Sequence, residues 1–182
     1  MTDFDLQGFL YAHSRYQGVR DAAYHVTWEK LSPSCQNLKL WSIDDAALAF
    51  VDHYWRAGGV SHPDGGFPWR AITEQFHSTP RRFEIAIWSG NTLCGMAFGL
   101  PSRGADNVTI RFIERYWFSG NPLIGWIAPI VIDAADNYAK LLGKQWVKLK
   151  NPIIGAIPYY VALGFELAEP RLGATYYRRK VT

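Results

Sequence analysis

One segment restricts the fold more than any other: an alternating strand pattern, a helical stripe and a second strand, run together from Val108 to Lys150. "VTIRFIERYWF" alternates with the period of a strand, and "KQWVKLK" reads as another. Between them Ile124, Ala128, Val131, Ala135, Tyr138 and Leu142 recur at spacings of four and three, the apolar stripe of a helix lying on a core. Pro129 lacks an N–H and clashes with the carbonyl four residues back, so it fits only the first helical turn. The helix therefore starts no earlier than about Trp126, and Gly143 ends it. A strand–helix–strand unit of this length predicts a right-handed crossover between parallel strands.

The flanking segments fill out a mixed α/β chain. Residues 1–31 read as a helical extension, with Leu6, Phe9, Leu10, His13, Tyr16, Val19 and Val26 roughly at helical spacing. "NLKLWSI" reads as a strand, and Asp44 or Asp45 caps the helix "AALAFVDHYWRA". After the Gly-rich loop "GGVSHPDGGF" comes the helix "PWRAITEQFHS", with Pro68 in its first turn. "RFEIAIW" and "TLCGMAFGL" form a hairpin across "SGN". A short helix with Pro158 in its first turn ends at Gly164, and "FELAEP" and "ATYYRRKV" close the chain as strands. The predicted order is one strand, two helices, three strands, helix, strand, helix, two strands.

Composition excludes several classes. With 48% apolar and 19% charged residues, the chain of 182 residues can bury a sizeable core and is not disordered. No apolar run reaches the roughly 18 residues of a membrane span. "MTDFDLQGFL" carries acids where a signal peptide would carry bases. Cys35 and Cys94 form no CxxC and read as reduced thiols, so a cytoplasmic protein is expected. His13, His25, His53, His62 and His77 show no HxxxH or HxH spacing, so no metal site is expected. No serine lies in a GxSxG elbow, so a hydrolase triad has no support. A net charge of +3 does not by itself argue for nucleic acid, and Arg81-Arg82 and Arg178-Arg179-Lys180 are short enough to be solvated surface.

Three features bear on chemistry. On a strict period of two, Val108, Ile110, Phe112, Glu114, Tyr116 and Phe118 share one face, leaving a single carboxylate among apolar groups. Desolvation there would raise its pKa and suit it to act as a general base; alternatively it pairs with Arg111 or Arg115. The loop holding Ser119, Gly120, Asn121 and Gly125 joins a strand to a helix N-terminus, whose free N–H groups and dipole suit phosphate, although many such loops bind nothing. Tyr160, four residues before Gly164, is a core tyrosine or a proton donor.

From about Asn37 to Thr182 the order of elements resembles the GCN5-related N-acetyltransferase (GNAT) superfamily. The most specific likeness is "AIPYYVALGFEL", similar to that family's A-x-x-x-Y-x-x-x-G-F ending, with Ala156, Tyr160, Gly164 and Phe165 at the matching positions. "VTIRFIERYWF" resembles its fourth strand, and "GWIAPIVIDAADNYAKLLGKQWVKL" the helix and strand that follow. The resemblance implies a GNAT-like α/β (α+β) fold: a mixed, mostly antiparallel sheet of about seven strands flanked by helices. Residues 1–36 would be an N-terminal helical extension and 37–182 the acyltransferase domain.

The implied activity is transfer of an acetyl or other acyl group from acetyl-coenzyme A, or another acyl-coenzyme A, to an amine of a small molecule or protein. Tyr160 would protonate the departing thiolate, and Glu114 would act as base on the amine, directly or through water. The cofactor would lie against Tyr116, Phe118, Ser119, Gly120, Asn121, Gly125 and Trp126, with Asn151 touching its pantetheine arm. The loop departs from the family's Q/R-x-x-G-x-G/A: "NPLIGWIA" has one glycine and no Arg or Gln at the matching place, leaving main-chain contacts to hold the cofactor. The acceptor would enter beside Trp55–Arg70, where Trp55, Phe67 and Trp69 would wall a cleft and Asp64 would pair with a cationic amine, unless this is an ordinary exposed loop. Two alternatives stand beside this reading: a non-catalytic member of the fold that binds a partner or ligand, and a nucleic-acid-directed member, which needs a basic stripe near the cleft. The protein would be a monomer or a homodimer and would not engage membranes.

Overall fold

Gly90 and Asn91 close a two-residue hairpin, Gly90 taking the positive φ (58°) that such turns favour. In the computed structural model, which describes residues 3–57 and 65–182, this turn joins β2 (Phe83–Ser89) to β3 (Thr92–Pro101). β1 (Leu38–Trp41) pairs antiparallel on the outer side of β2, and β4 (Asn107–Arg115) pairs antiparallel with β3. β5 (Trp146–Lys150) runs parallel to β4, as the crossover requires. β6 (Glu166–Arg171) and β7 (Ala174–Lys180) complete a sheet ordered β1-β2-β3-β4-β5-β7-β6.

Five α-helices surround the sheet among the described residues: α1 (Asp3–Leu31), α2 (Asp45–Phe50), α3 (Trp69–Phe76), α4 (Ile127–Leu141) and α5 (Ile157–Ala162). α4 begins one residue after Trp126, as Pro129 demands. No helix among the described residues is long and apolar enough to cross a membrane.

Two cores sandwich the sheet. One face packs on α1 and α4 through residues such as Ile85, Val108, Ile130, Tyr138 and Val147. The face of β2–β4 behind it packs on α2, α3 and the turn between them through Trp55, Trp69, Met96 and Phe98. Buried on both faces, β2 and β3 are near-continuous apolar runs rather than alternating ones.

α1 is a helix, and Val19 packs against the core as expected, but the expected stripe is followed only in part. Leu6, Leu10 and Val26 are exposed, whereas Arg20, Ala23, Tyr24 and Thr27 are buried. Polar partners decide the choice. Arg20 donates through Nη1 to the Pro80 and Arg82 carbonyls at 2.9 and 3.0 Å, and Tyr24 donates to the Glu84 carbonyl, so these polar groups enter the core with partners.

Two local irregularities shape the site. After α2 the chain widens into a π-helical turn, Val51–Trp55, closed by the Arg56 N–H on the Val51 carbonyl at 3.1 Å. It drives Trp55 fully into the core, where the indole stacks on Tyr116 at 5.9 Å. The second is a bulge: Phe98 pairs with Phe112 but Gly99 pairs with Ile110, so Arg111 has no partner on β3. A Cβ at Gly99 would lie 2.5 Å from the Thr109 carbonyl oxygen, so only glycine fits there.

The bulge overturns the single face expected for β4. One extra residue moves everything beyond it to the other side of the sheet. Val108 and Ile110 belong to the α1/α4 core, and Ile113 packs against it, whereas Phe112 and Tyr116 pack against the α2/α3 core. The strand also ends at Arg115 rather than Phe118.

Candidate functional site

β4 and β5 pair only from Asn107–Trp146 to Ile110–Leu149, after which β4 continues five residues to Arg115 without a β5 partner. The two parallel strands therefore part. A small cleft of about 60 Å³ opens at the parting, lined by Ile110 and Ile113 on one side, Leu149, Asn151 and Pro152 on the other, with Tyr160 and Phe67 closing it. Arg111 and Lys150 stand at its rim.

Tyr160 reaches this cleft from α5, a short helix started by Pro158 and stopped by Gly164 at φ 86°. Its ring meets Phe165 at 6.1 Å and Tyr159 at 5.9 Å, and the residue is 9% exposed. Burial, and secondarily the neighbouring Tyr159, pushes the Tyr160 phenol above its ordinary range, so it keeps its proton at neutral pH. Tyr159 turns outward and is 41% exposed.

The loop 119–126 is braced by Asn121. This side chain, 4% exposed, donates to the Cys94 and Tyr116 carbonyls at 3.0 and 2.9 Å and accepts from the Leu123 N–H at 2.9 Å. Asn121 thus shapes the loop, and its amide is fully engaged. Ser119 and Gly120 are exposed, and Gly125 takes φ 83° just before Trp126 caps α4. Among the described residues, the N–H groups of Gly125, Ile127 and Ala128 have no hydrogen-bond acceptor, which leaves an array of donors at the positive end of a 15-residue helix.

Other expected cofactor contacts are committed elsewhere. The Tyr116 ring stacks on Trp55 and meets Phe50 edge-on at 6.0 Å, within the α2/α3 core. Phe118 is half exposed beside Gly120, where a Cβ would lie 2.5 Å from its ring. Asn151 lines the cleft at φ 47°, its side-chain oxygen accepting from the Thr175 N–H at 2.8 Å.

Glu114 does not sit in the apolar setting expected of a base, because the bulge re-aims it. The carboxylate is 5% exposed and is surrounded by donors. Oε1 accepts from the Gly66 N–H at 2.8 Å and lies 2.9 Å from Arg56 Nη1. Oε2 accepts from Arg56 Nη2 at 3.0 Å and from the Trp69 indole at 2.6 Å. Its partner is Arg56, not Arg111 or Arg115. A Cβ on Gly65 would lie 2.8 Å from Oε1, which accounts for glycine where the chain passes the carboxylate.

The expected acceptor wall also changes. Trp55 and Trp69 are core residues, fully or almost fully buried, and of the three aromatics only Phe67 faces the cleft. Asp64 lies outside the described residues. Arg56 had no signal in the sequence except the general rule that a buried carboxylate needs a cation.

Comparison of the sequence with protein-family models and with curated proteins gives no match. Comparison of the fold with solved structures gives many. An Ard1 from Thermoplasma volcanium is 13% identical with a TM-score of 0.59, covering 80% of this chain and 99% of its own. The ribosomal-protein-S18-alanine N-acetyltransferase from Escherichia coli is 15% identical with a TM-score of 0.57, over 80% and 94%. A Bacillus subtilis acetyltransferase solved in complex with CoA is 17% identical with a TM-score of 0.55, over 80% and 99%. The chain has the GNAT fold.

Proposed function

We propose that the protein is an N-acyltransferase that moves an acetyl or other acyl group from an acyl-coenzyme A to an amine. The observation that carries this reading is the parting of β4 from β5, which sets a buried, protonated tyrosine beside a cleft while leaving the α4 N-terminus with free donors. The residues present fit the cofactor through the main chain: Gly125, Ile127 and Ala128 would hold its pyrophosphate, with exposed Ser119 and Gly120 allowing close approach. Bound there, acyl-coenzyme A would supply the activated thioester.

The chain's own residues supply position and a proton. Ile110, Ile113 and Leu149 give the cleft apolar walls that exclude water. Tyr160 holds a proton on Oη and serves as the acid for a leaving group in the cleft. Glu114 has both oxygens engaged and serves as an anchor that sets the acceptor side: Arg56 precedes segment 58–64, and Gly66 and Trp69 follow it. Isothermal titration of the purified protein with acetyl-coenzyme A tests the reading. Micromolar binding is expected, weakened at least tenfold by Gly125→Val, since a β-branched residue opposes φ 83°. No binding at millimolar cofactor overturns the proposal.

A further inference from the structure

One residue from each of the two short basic clusters, Arg81 and Arg178, comes to the same groove in the fold. An open groove of about 430 Å³ runs over the outer face of β4, β5, β7 and β6, the part of that face which α2 and α3 leave bare. Arg111 projects into it from β4, Lys148 and Lys150 from β5, and Arg178 from β7. Arg81 and Arg103 close one end and Arg171 stands on the β6 side. Seven cations therefore face one lining carboxylate, Glu169, in a chain whose whole excess is +3. The rest of the molecule is net acidic, so the positive charge is gathered on this one face.

Two of the seven are partly neutralised: Lys148 by Asp106 at 3.0 Å and Arg178 by Glu166 at 2.9 Å. The other five have no ion-pair partner among the described residues. Unpaired like charges held together on a concave surface repel one another, and a polyanion relieves this. Arg111 and Lys150 also stand at the rim of the Tyr160 cleft, so groove and cleft form one continuous surface.

We propose that this groove holds the phosphate backbone of a single nucleic-acid strand whose end reaches the Tyr160 cleft. The binding itself does not depend on the acyl-transfer reading. Five of the seven cations are arginines, whose planar forks match phosphate oxygens. Tyr176 lies in the groove and Arg178 stacks 4.4 Å over Trp146, surfaces on which bases can stack. An acidic peptide fits less well. Of the strands under the groove only β6, the last of the sheet, has an open edge, so a peptide added as a strand would lie along β6 and away from the cations of β4 and β5. A phosphate backbone needs only the side chains.

The test is fluorescence anisotropy of a labelled 20-nucleotide single-stranded RNA with the full chain, from 50 to 300 mM salt. Each phosphate contact on a single strand contributes a slope of about −0.7 in log K against log salt. Wild type should bind with a slope of about −2 or steeper. The double variant Arg103→Glu/Arg171→Glu, both exposed side chains, should bind at least tenfold more weakly with a slope shallower by about 1.4. Lys39→Glu, on the distant β1, should change affinity less than threefold. Absence of RNA binding at 50 mM salt overturns the proposal. So does equal loss in Lys39→Glu, or tight binding of a labelled oligo-glutamate peptide in place of RNA. RNA binding without acetyl-coenzyme A binding would sustain the groove and refute the transferase reading.

Discussion

Glu114→Gln separates an anchor from a base. The carboxylate accepts three hydrogen bonds and pairs with the Arg56 guanidinium, and a glutamine amide offers only one oxygen to these donors. If that oxygen stays near Trp69, the Gly66 N–H faces an NH₂; if it turns toward Gly66, the indole N–H does. Either way a buried donor loses its acceptor, at about 1–3 kcal/mol. Arg56 also loses its counter-charge, and because its side chain is 25% exposed this adds only about 1 kcal/mol. The sum is about 2–4 kcal/mol. In a domain of this size each kcal/mol moves the melting temperature by roughly 2–4 °C, so Tm should fall by about 5–15 °C. Circular dichroism on heating reads the fall, and amide exchange at Gly66 should accelerate at least tenfold as its N–H loses the carboxylate. A Glu114→Gln protein that melts within 1 °C of wild type, exchanges Gly66 normally and loses only turnover would refute the anchor and restore the base.

Tyr160→Phe should lower turnover by about 10²-fold with Tm nearly unchanged; an unaltered rate would remove the hydroxyl from the chemistry. Gly99→Ala should destabilise by about 1–3 kcal/mol, because the Thr109 and Ile110 backbone at 2.5–3.0 Å cannot move away from the new methyl; thermal melting checks it. Burial raises the phenols of Tyr24, Tyr138 and Tyr160 above 10 in the folded chain. Their neutral forms are therefore favoured by folding, so their contribution is complete below pH 10 and lost as pH rises through the folded values; denaturant titrations at pH 8 and 11 should show it. The Cys94 thiol, fully buried and pushed up to about 11, should resist a thiol reagent at pH 8 until the protein is unfolded.

The crossover, the hairpin and the short Tyr160 helix were legible because each is written in local chemistry: a period, a proline in a first turn, a glycine at positive φ. The faces of β4 were not. Strict alternation counts residues, and a bulge inserts one that the count cannot see. The trace it leaves is Gly99, a glycine inside an otherwise apolar strand, which in principle marks a bulge or a close backbone approach. The buried face of α1 was hidden for a different reason. Its apolar residues follow a weak stripe, and the choice is made by Arg20 and Tyr24 finding carbonyls some 60 residues away. Likewise Arg56 lies 58 residues before Glu114, and Arg81 and Arg178 nearly a hundred apart, so only the sheet brings each set together.

These long-range pairings explain why the site is built around a defect in the sheet. Without the extra residue at Arg111, Glu114 would point toward α1 and α4, away from Arg56, Gly66 and Trp69, and Ile113 would leave the cleft. With it, one strand serves both sides: Ile110 and Ile113 line the cleft that opens toward Tyr160, while Phe112, Glu114 and Tyr116 fix the π-helical turn and the start of α3 on the opposite face. Arg111, displaced outward by the same step, joins cleft to basic groove. Deleting Arg111 would restore regular pairing and turn Glu114 toward an apolar core with no cation to meet it, so the bulge and the Glu114 clamp must stand or fall together.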